Sequence, residues 1–187
     1  TTEEYSEFLR KKTYMLANPF EKDNNFLNTN PLKGHKSPKK IVTPASSEKM
    51  IREVENLRTL DCRLLQSKNY EVFFAKAKDI PNILHEIGRL REITFREVGE
   101  GTNESIDLDK YDQYYRHLFL WDDETNKIAG AYRMGLGCEI YPKYGMDGFY
   151  LNGLFRFEPE LHEMLHKSIE MGRAFIISEY QQKPMPL

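Results

Sequence analysis

The stretch Ser168-Ile-Glu-Met-Gly-Arg-Ala-Phe-Ile-Ile-Ser-Glu-Tyr-Gln-Gln-Lys-Pro184 decides how this chain is read. Ile169, Met171, Ala174, Ile176 and Ile177 make it apolar at nearly every position after Gly172, the pattern of a central strand covered on both faces. A carboxylate and a guanidinium, Glu170 and Arg173, interrupt it. Charges in a strand bound for the interior are costly unless paired or used, so these two either face a cleft or satisfy each other. The rest of the chain reads as scaffolding for this strand.

Immediately upstream, Pro159 to Lys167 reads as a short helix carrying His162-Glu-Met-Leu-His166. Two histidines one turn apart with a Glu between them match the zinc-peptidase pattern. The helix is short, and the extended spacing holds no glycine and third histidine. The expectation is therefore a surface helix with Leu161, Met164 and Leu165 turned inward, both histidines outward and no metal. A zinc peptidase remains the third-ranked function.

Further out, Tyr115 to Trp121 and Lys127 to Met134 read as strands of an antiparallel hairpin joined by the polar turn Asp122 to Asn126. Gly135 to Gly148 has no period, and Phe149 to Leu151 reads as a short strand. Pro81 opens a long helix capped by Asp79, with Ile80, Ile83, Leu84, Ile87, Leu90 and Val98 on one stripe and Gly99 and Gly101 at its end. A strand lies within Tyr70 to Ala77. Ser46 or Ser47 caps another helix through Met50, Ile51, Val54 and Leu57. Residues 17–45 are rich in Asn and Pro and read as a linker; Thr1 to Leu16 reads as a helix with Tyr5, Phe8 and Leu9 on one side. The expected division is residues 1–45, an N-terminal helix and linker, and residues 46–187, one α/β domain.

With 27 Lys plus Arg against 29 Asp plus Glu, the chain has no overall electrostatic footprint for nucleic acid. Cys62 and Cys138 lack any partner spacing, which fits unpaired thiols in a reducing, cytoplasmic compartment. No apolar run is long enough to span a bilayer. A basic cluster, Lys33, His35, Lys36, Lys39 and Lys40, could meet an anionic membrane surface or an acidic carrier, although a solvated linker is the plainer reading.

From about Val72 to Pro184 the chain resembles the hemolysin-like branch of the GNAT acyltransferase superfamily, which includes bacterial ornithine and glycine N-acyltransferases of aminolipid synthesis. It is similar also to acyl-homoserine-lactone synthases. Four elements in order carry the resemblance: Arg91-Glu-Ile-Thr-Phe-Arg-Glu97, Asp109-Lys-Tyr-Asp112, Gly130-Ala-Tyr-Arg133 and Glu170-Met-Gly-Arg173. Tyr5 to Phe20 resembles the tail of a glycerolipid acyltransferase module that precedes such domains.

The resemblance implies a mixed, mainly antiparallel sheet with helices on both faces, incomplete at the C-terminus. It implies an N-acyltransferase that moves a fatty acyl group to a small amine, or failing that an inactive lipid- or carrier-binding module. Glu170 is the implied general base, or orients the amine through water, unless it merely pairs with Arg133 or Arg173. Those two arginines would polarise the carbonyl, hold an acceptor carboxylate or neutralise Glu170. Arg91, Phe95, Asp109 and Asp112 are the implied substrate-binding residues, with Asp109 and Asp112 toward the amine acceptor and Phe95, like Trp121, readable as core or as a wall of an acyl chamber. Gly172, Tyr180 and Lys183 are the implied donor-side residues. Glu179 to Pro184 contains no glycine where many relatives cradle a pyrophosphate, which favours the phosphopantetheine of acyl carrier protein over coenzyme A as donor. No permanently bound cofactor is implied.

Overall fold

The computed structural model describes residues 37–182. The expected helix at Thr1 to Leu16, the arm Tyr5 to Phe20, the basic residues Lys33, His35 and Lys36, and Lys183 lie outside these. The described residues build five strands in the order β1-β2-β3-β4-β5, every neighbouring pair antiparallel. The strands are β1 (Arg63–Ser67), β2 (Tyr70–Lys76), β3 (Arg116–Asp122), β4 (Lys127–Leu136) and β5 (Ile169–Ile176). Helices are α1 (Ser47–Thr59), α2 (Pro81–Glu97), α3 (Gly137–Tyr144) and the single turn α4 (His162–His166).

Alternation along the strands sorts the side chains. Phe73, Ala75, Phe119, Trp121 and Phe175 share one cluster with Met50, Val54 and Leu57 of α1 and Ile83, Leu84 and Ile87 of α2. Both long helices therefore lie on one face of the sheet. Val72 and Leu120 belong to a separate cluster around the buried ring of Tyr180. Each fully buried Phe, Leu or Ile stabilises the fold by about 1.5–3 kcal/mol relative to leaving it exposed. A third cluster, Tyr115, Ile140 and Phe149, seats α3 at the end of the sheet where β5 begins.

Several expectations change. Glu53 of α1, not Asp79, caps α2, accepting from the backbone N–H groups of Asn82 at 2.9 Å and Ile83 at 2.8 Å. A carboxylate reaching from the neighbouring helix fills two of the donors that a helix start leaves open. Ser46 sits at the start of α1 without a side-chain cap bond. Strand β1 has no sequence signal because four of its five residues are exposed and no alternation marks it. Helix α3 forms in the supposedly irregular segment despite Pro142, anchored by buried Ile140 and by an Arg116–Glu139 ion pair. Phe149 to Leu151 is no strand; Leu151–Gly153 is a 3₁₀ turn.

β5 is the edge of the described sheet, not its centre. Ile169 and Met171 are 53% and 58% exposed, so their apolar character did not signal cover among the described residues. The histidine helix is turned only partly as expected: Leu165 does pack inward, against the cluster of Tyr115, Ile140 and Phe149. Leu161 and Met164 are exposed, while His162 and His166 pack their rings beside Tyr141. Residues 39–45, counted with the linker, are fastened along the domain: Lys39 N–H bonds Asn103 O, Val42 N–H bonds Ser105 O, and Ala45 N–H bonds Glu86.

Candidate active site

β5 carries a bulge. Arg133 faces Gly172 and Ala131 faces Phe175, so one residue of β4 opposes two of β5, Arg173 and Ala174. Arg173 adopts φ 50°, a left-handed conformation that a non-glycine residue takes only when its surroundings impose it. A bulge leaves its extra residue out of the ladder, which frees backbone groups beside an active cleft. Two adjoining cavities of 390 and 380 Å³ run along this stretch and share Phe95, Glu100 and Ala174. The first reaches Ile176 and Gln181; the second reaches Glu170.

Glu170 is buried at the inner end of this groove. Its Oε2 accepts from the Tyr115 hydroxyl at 2.5 Å and from Tyr150 N–H at 3.1 Å, and its Oε1 accepts from Leu151 N–H at 3.0 Å. A carboxylate offers about four acceptor positions, so one on Oε1 is left for a ligand or water. No described cation lies within ion-pair distance, which removes the reading in which Glu170 merely neutralises Arg133 or Arg173. Burial, and after it the Glu170 carboxylate, pushes the Tyr115 hydroxyl well above its ordinary range, so it stays protonated and donates. Tyr114 beside it is pushed up to about 12, again chiefly by burial.

Both arginines belong to a different set of contacts. Arg133 Nη1 binds Asp109 at 2.7 Å and Asp112 at 3.3 Å, and its guanidinium lies 5.3 to 5.6 Å from the ring centres of Tyr115, Tyr150 and Tyr111. Arg173 reaches Asp107 at 3.3 Å and Asp109 at 3.8 Å. Arg91, which the sequence reading placed among the substrate-binding residues, is wholly enclosed: Nε binds Asp107 at 2.9 Å, the two Nη atoms fork onto Asp112 at 3.1 and 3.0 Å, and Nη2 also reaches Asp107 O. Three guanidiniums thus balance three carboxylates, Asp107, Asp109 and Asp112. Burial works against ionising Asp112, but Arg91 and then Arg133 hold its carboxyl below the usual range.

Asp109 and Asp112 also cap the turn Lys110–Gln113 reciprocally, each accepting from the other's backbone N–H. Beneath them, buried His117 places Nε2 2.9 Å from Asp112 O, an acceptor only, so Nε2 carries the proton. Its Nδ1 finds no hydrogen-bond partner among the described residues. Burial, with Arg91 and Arg133 nearby, pushes the His117 pKa down.

The structure therefore brings Glu170, Arg133, Arg173, Gly172 and Phe95 to one cavity. Arg91 and Asp112 stand behind it as a buried ion cluster, with Asp109 partly exposed at its margin. Trp121 is core. Tyr180, expected on the donor side, instead buries its ring beside Leu120 and Ala129 and donates to Asp122 at 2.6 Å, while its neighbour Gln181 lines the groove. Sequence reasoning missed Tyr115, the amides of Tyr150 and Leu151, Asp107 and the bulge. Only Tyr115, at the start of a legible strand, carried any signal.

The family model for the acetyltransferase (GNAT) domain matches residues 90–187, which holds the groove, the bulge and Glu170. The chain belongs to this family. Curated relatives include the glycine N(alpha)-acyltransferases of Bacteroides thetaiotaomicron and Phocaeicola vulgatus, each 36% identical over 146 residues, or 75% of this chain. The chain spans only 43% and 44% of the length of these two relatives. No solved structure matches significantly. Among the described residues no helix is long and apolar enough to cross a membrane.

Proposed function

We propose that the whole protein is an N-acyltransferase that moves a fatty acyl group from a thioester, carried on the phosphopantetheine of acyl carrier protein, to the amine of a small amino acid. The observation that carries this reading is Glu170: a buried carboxylate in no ion pair with a described cation, fixed by three donors, with an acceptor position left at a groove beside a strand bulge. The acceptor class follows the relatives' names, and the donor follows the glycine-free segment after β5. Acyl-coenzyme A is the competing donor. Contact with a membrane surface would be peripheral, and aminolipid synthesis is the setting.

The thioester lies along β5 with its carbonyl oxygen at the bulge, where backbone N–H groups freed from the ladder stabilise the developing oxyanion. Glu170 takes the proton from the attacking amine, directly or through one water. The C–N bond forms, the C–S bond breaks, and the proton taken from the amine passes from Glu170, directly or through water, to the departing thiolate, which leaves as the free thiol of the carrier. Arg133 and Arg173, both already paired with aspartates, shape the wall and hold the bulge.

Glu170→Gln in the whole protein tests this. The amide offers only one oxygen, so one of the donors now on the carboxylate meets an NH₂ group, and stability should fall by about 1–3 kcal/mol. Single-turnover acylation of glycine by the folded variant should fall roughly 10²- to 10⁴-fold, with donor binding changed by no more than about threefold. An unchanged single-turnover rate would remove Glu170 as the base. Donor binding with no transfer by the parent protein would favour the inactive carrier-binding module.

A further inference from the structure

Glycine at 135 has a specific physical consequence. Gly135 is the register partner of Glu170 across β4 and β5. A Cβ built there would stand 2.5 and 2.7 Å from Cε1 and Cζ of the Tyr115 ring. Those are ring atoms of a buried side chain, so the ring would have to move. The absent side chain makes the space in which the Tyr115 ring crosses to Glu170. In that space the ring is held on several sides: its hydroxyl donates to Glu170 Oε2 at 2.5 Å and accepts from Tyr150 N–H at 3.0 Å, while the Arg133 guanidinium lies 5.3 Å from the ring centre. Tyr150 N–H in turn also donates to Glu170 Oε2. Tyr115, Tyr150 and Glu170 therefore form a closed triangle of hydrogen bonds, and Leu151 N–H fixes the remaining carboxylate oxygen.

We propose that Tyr115, seated by Gly135, is the positioning residue of the site: it sets the direction in which Glu170 presents its one open acceptor position. The inference rests on the reading of Glu170 as the base. A carboxylate free to rotate about its last bonds spends little time aimed at an amine. Two backbone donors alone leave Glu170 joined to a turn that is itself partly held by the Tyr115 hydroxyl. Displacing a group by about 1 Å from a reacting centre costs up to roughly 10²-fold in rate. Arg133 gains a role here that needs no contact with the substrate. Its pairing with Asp109 and Asp112 anchors the cation against which the Tyr115 ring rests.

Two substitutions reach the same device from opposite sides. Tyr115→Phe keeps the ring and removes the hydroxyl; Gly135→Ala keeps the hydroxyl and displaces the ring. In single-turnover glycine acylation by the whole protein, each should lower the rate about 10- to 100-fold while the KM for glycine and for the acyl donor stays within about threefold. The double variant should be no slower than the slower single, because both changes remove one interaction. Multiplicative loss in the double variant, or a Tyr115→Phe rate within threefold of the parent, would overturn the inference while leaving Glu170 as base. Gly135→Ala is also followed by thermal melting, and if it fails to fold, the rate and KM of Tyr115→Phe decide alone. If the parent protein acylates no amine, the reading of Glu170 fails and the inference falls with it.

Discussion

Two buried acidic regions lie side by side in this domain and are built on opposite terms. Around Asp112 every charge has a partner: Arg91 forks onto it, Arg133 adds a contact, and Asp107 and Asp109 complete a balance of three cations and three anions. Glu170 forms no ion pair with any described cation, although Arg133 and Arg173 line the same cavity; its hydrogen bonds come from a phenol and two backbone amides. A buried carboxylate costs several kcal/mol of lost hydration and must be compensated. Guanidiniums compensate Asp112 by closing it off; neutral donors compensate Glu170 and leave part of it open to a groove. The difference separates a carboxylate enclosed by cations from one that keeps an acceptor position open to a groove.

Breaking the closed region should give the largest stability effect. Asp112→Asn removes the charge on which Arg91 and Arg133 converge and confronts Arg91 with an NH₂ group. Loss of one partner from a buried ion pair costs about 3–5 kcal/mol, so chemical denaturation at pH 7 should show a fall of that size. This should exceed the stability loss of Glu170→Gln, whose main effect is on rate. A loss under about 1 kcal/mol would mean that the cluster is not what fixes the Lys110–Gln113 turn against β4.

How much of this contrast the sequence could carry depends on distance along the chain. Helix α2 and the β3–β4 hairpin were legible because their apolar period is local, and the four family-like segments pointed to Glu170, Arg133 and Arg173. The assignment of roles was not legible. Arg91, Asp107, Asp112 and Arg133 become one cluster only when α2, the loop before β3 and β4 meet, and nothing in the spacing distinguishes an Asp that binds a ligand from one that binds Arg91. The exposure of Ile169 and Met171 was hidden for the same reason, since an apolar run looks alike at the centre and at the edge of a sheet. Gly135 read only as the start of a segment without a period; its meaning as clearance for Tyr115 exists only once β4 lies beside β5.

Acid probes the closed region through His117. Its folded pKa lies below its unfolded value of about 6.5, because burial disfavours the imidazolium and Arg91 and Arg133 repel it, outweighing the attraction of Asp112. Above that pH neither state binds the proton. As pH falls below it, the unfolded chain takes up a proton that the folded one refuses, so stability is lost by up to about 1.4 kcal/mol per pH unit until the folded pKa is reached. Asp112, also depressed, adds a loss of the same sign only below about pH 4. His117→Gln keeps a donor for Asp112 O and removes the titration. Its stability, followed by denaturant midpoint between pH 7 and 5, should be flatter than that of the parent. Parallel curves would show that His117 does not titrate in this window.

The smallest effect, and the sharpest, is expected where the two regions meet. Arg173 has its side chain in the ion cluster, through Asp107 and Asp109, and its backbone in the bulge beside Glu170. Its φ of 50° costs an ordinary residue about 1–2 kcal/mol and a glycine almost nothing. At a regular strand position valine is preferred to glycine by up to about 1 kcal/mol. At 173 the order should invert. Arg173→Gly and Arg173→Val lose the same ion pairs to Asp107 and Asp109, so subtracting one from the other cancels the side chain and leaves the backbone term. The glycine variant should be the more stable by about 1 kcal/mol in denaturant, and it should keep more of the acylation rate, since the bulge beside the groove survives. If valine proves the more stable, the strand is regular at this point in solution, and the bulge loses its place as the proposed site of the thioester carbonyl.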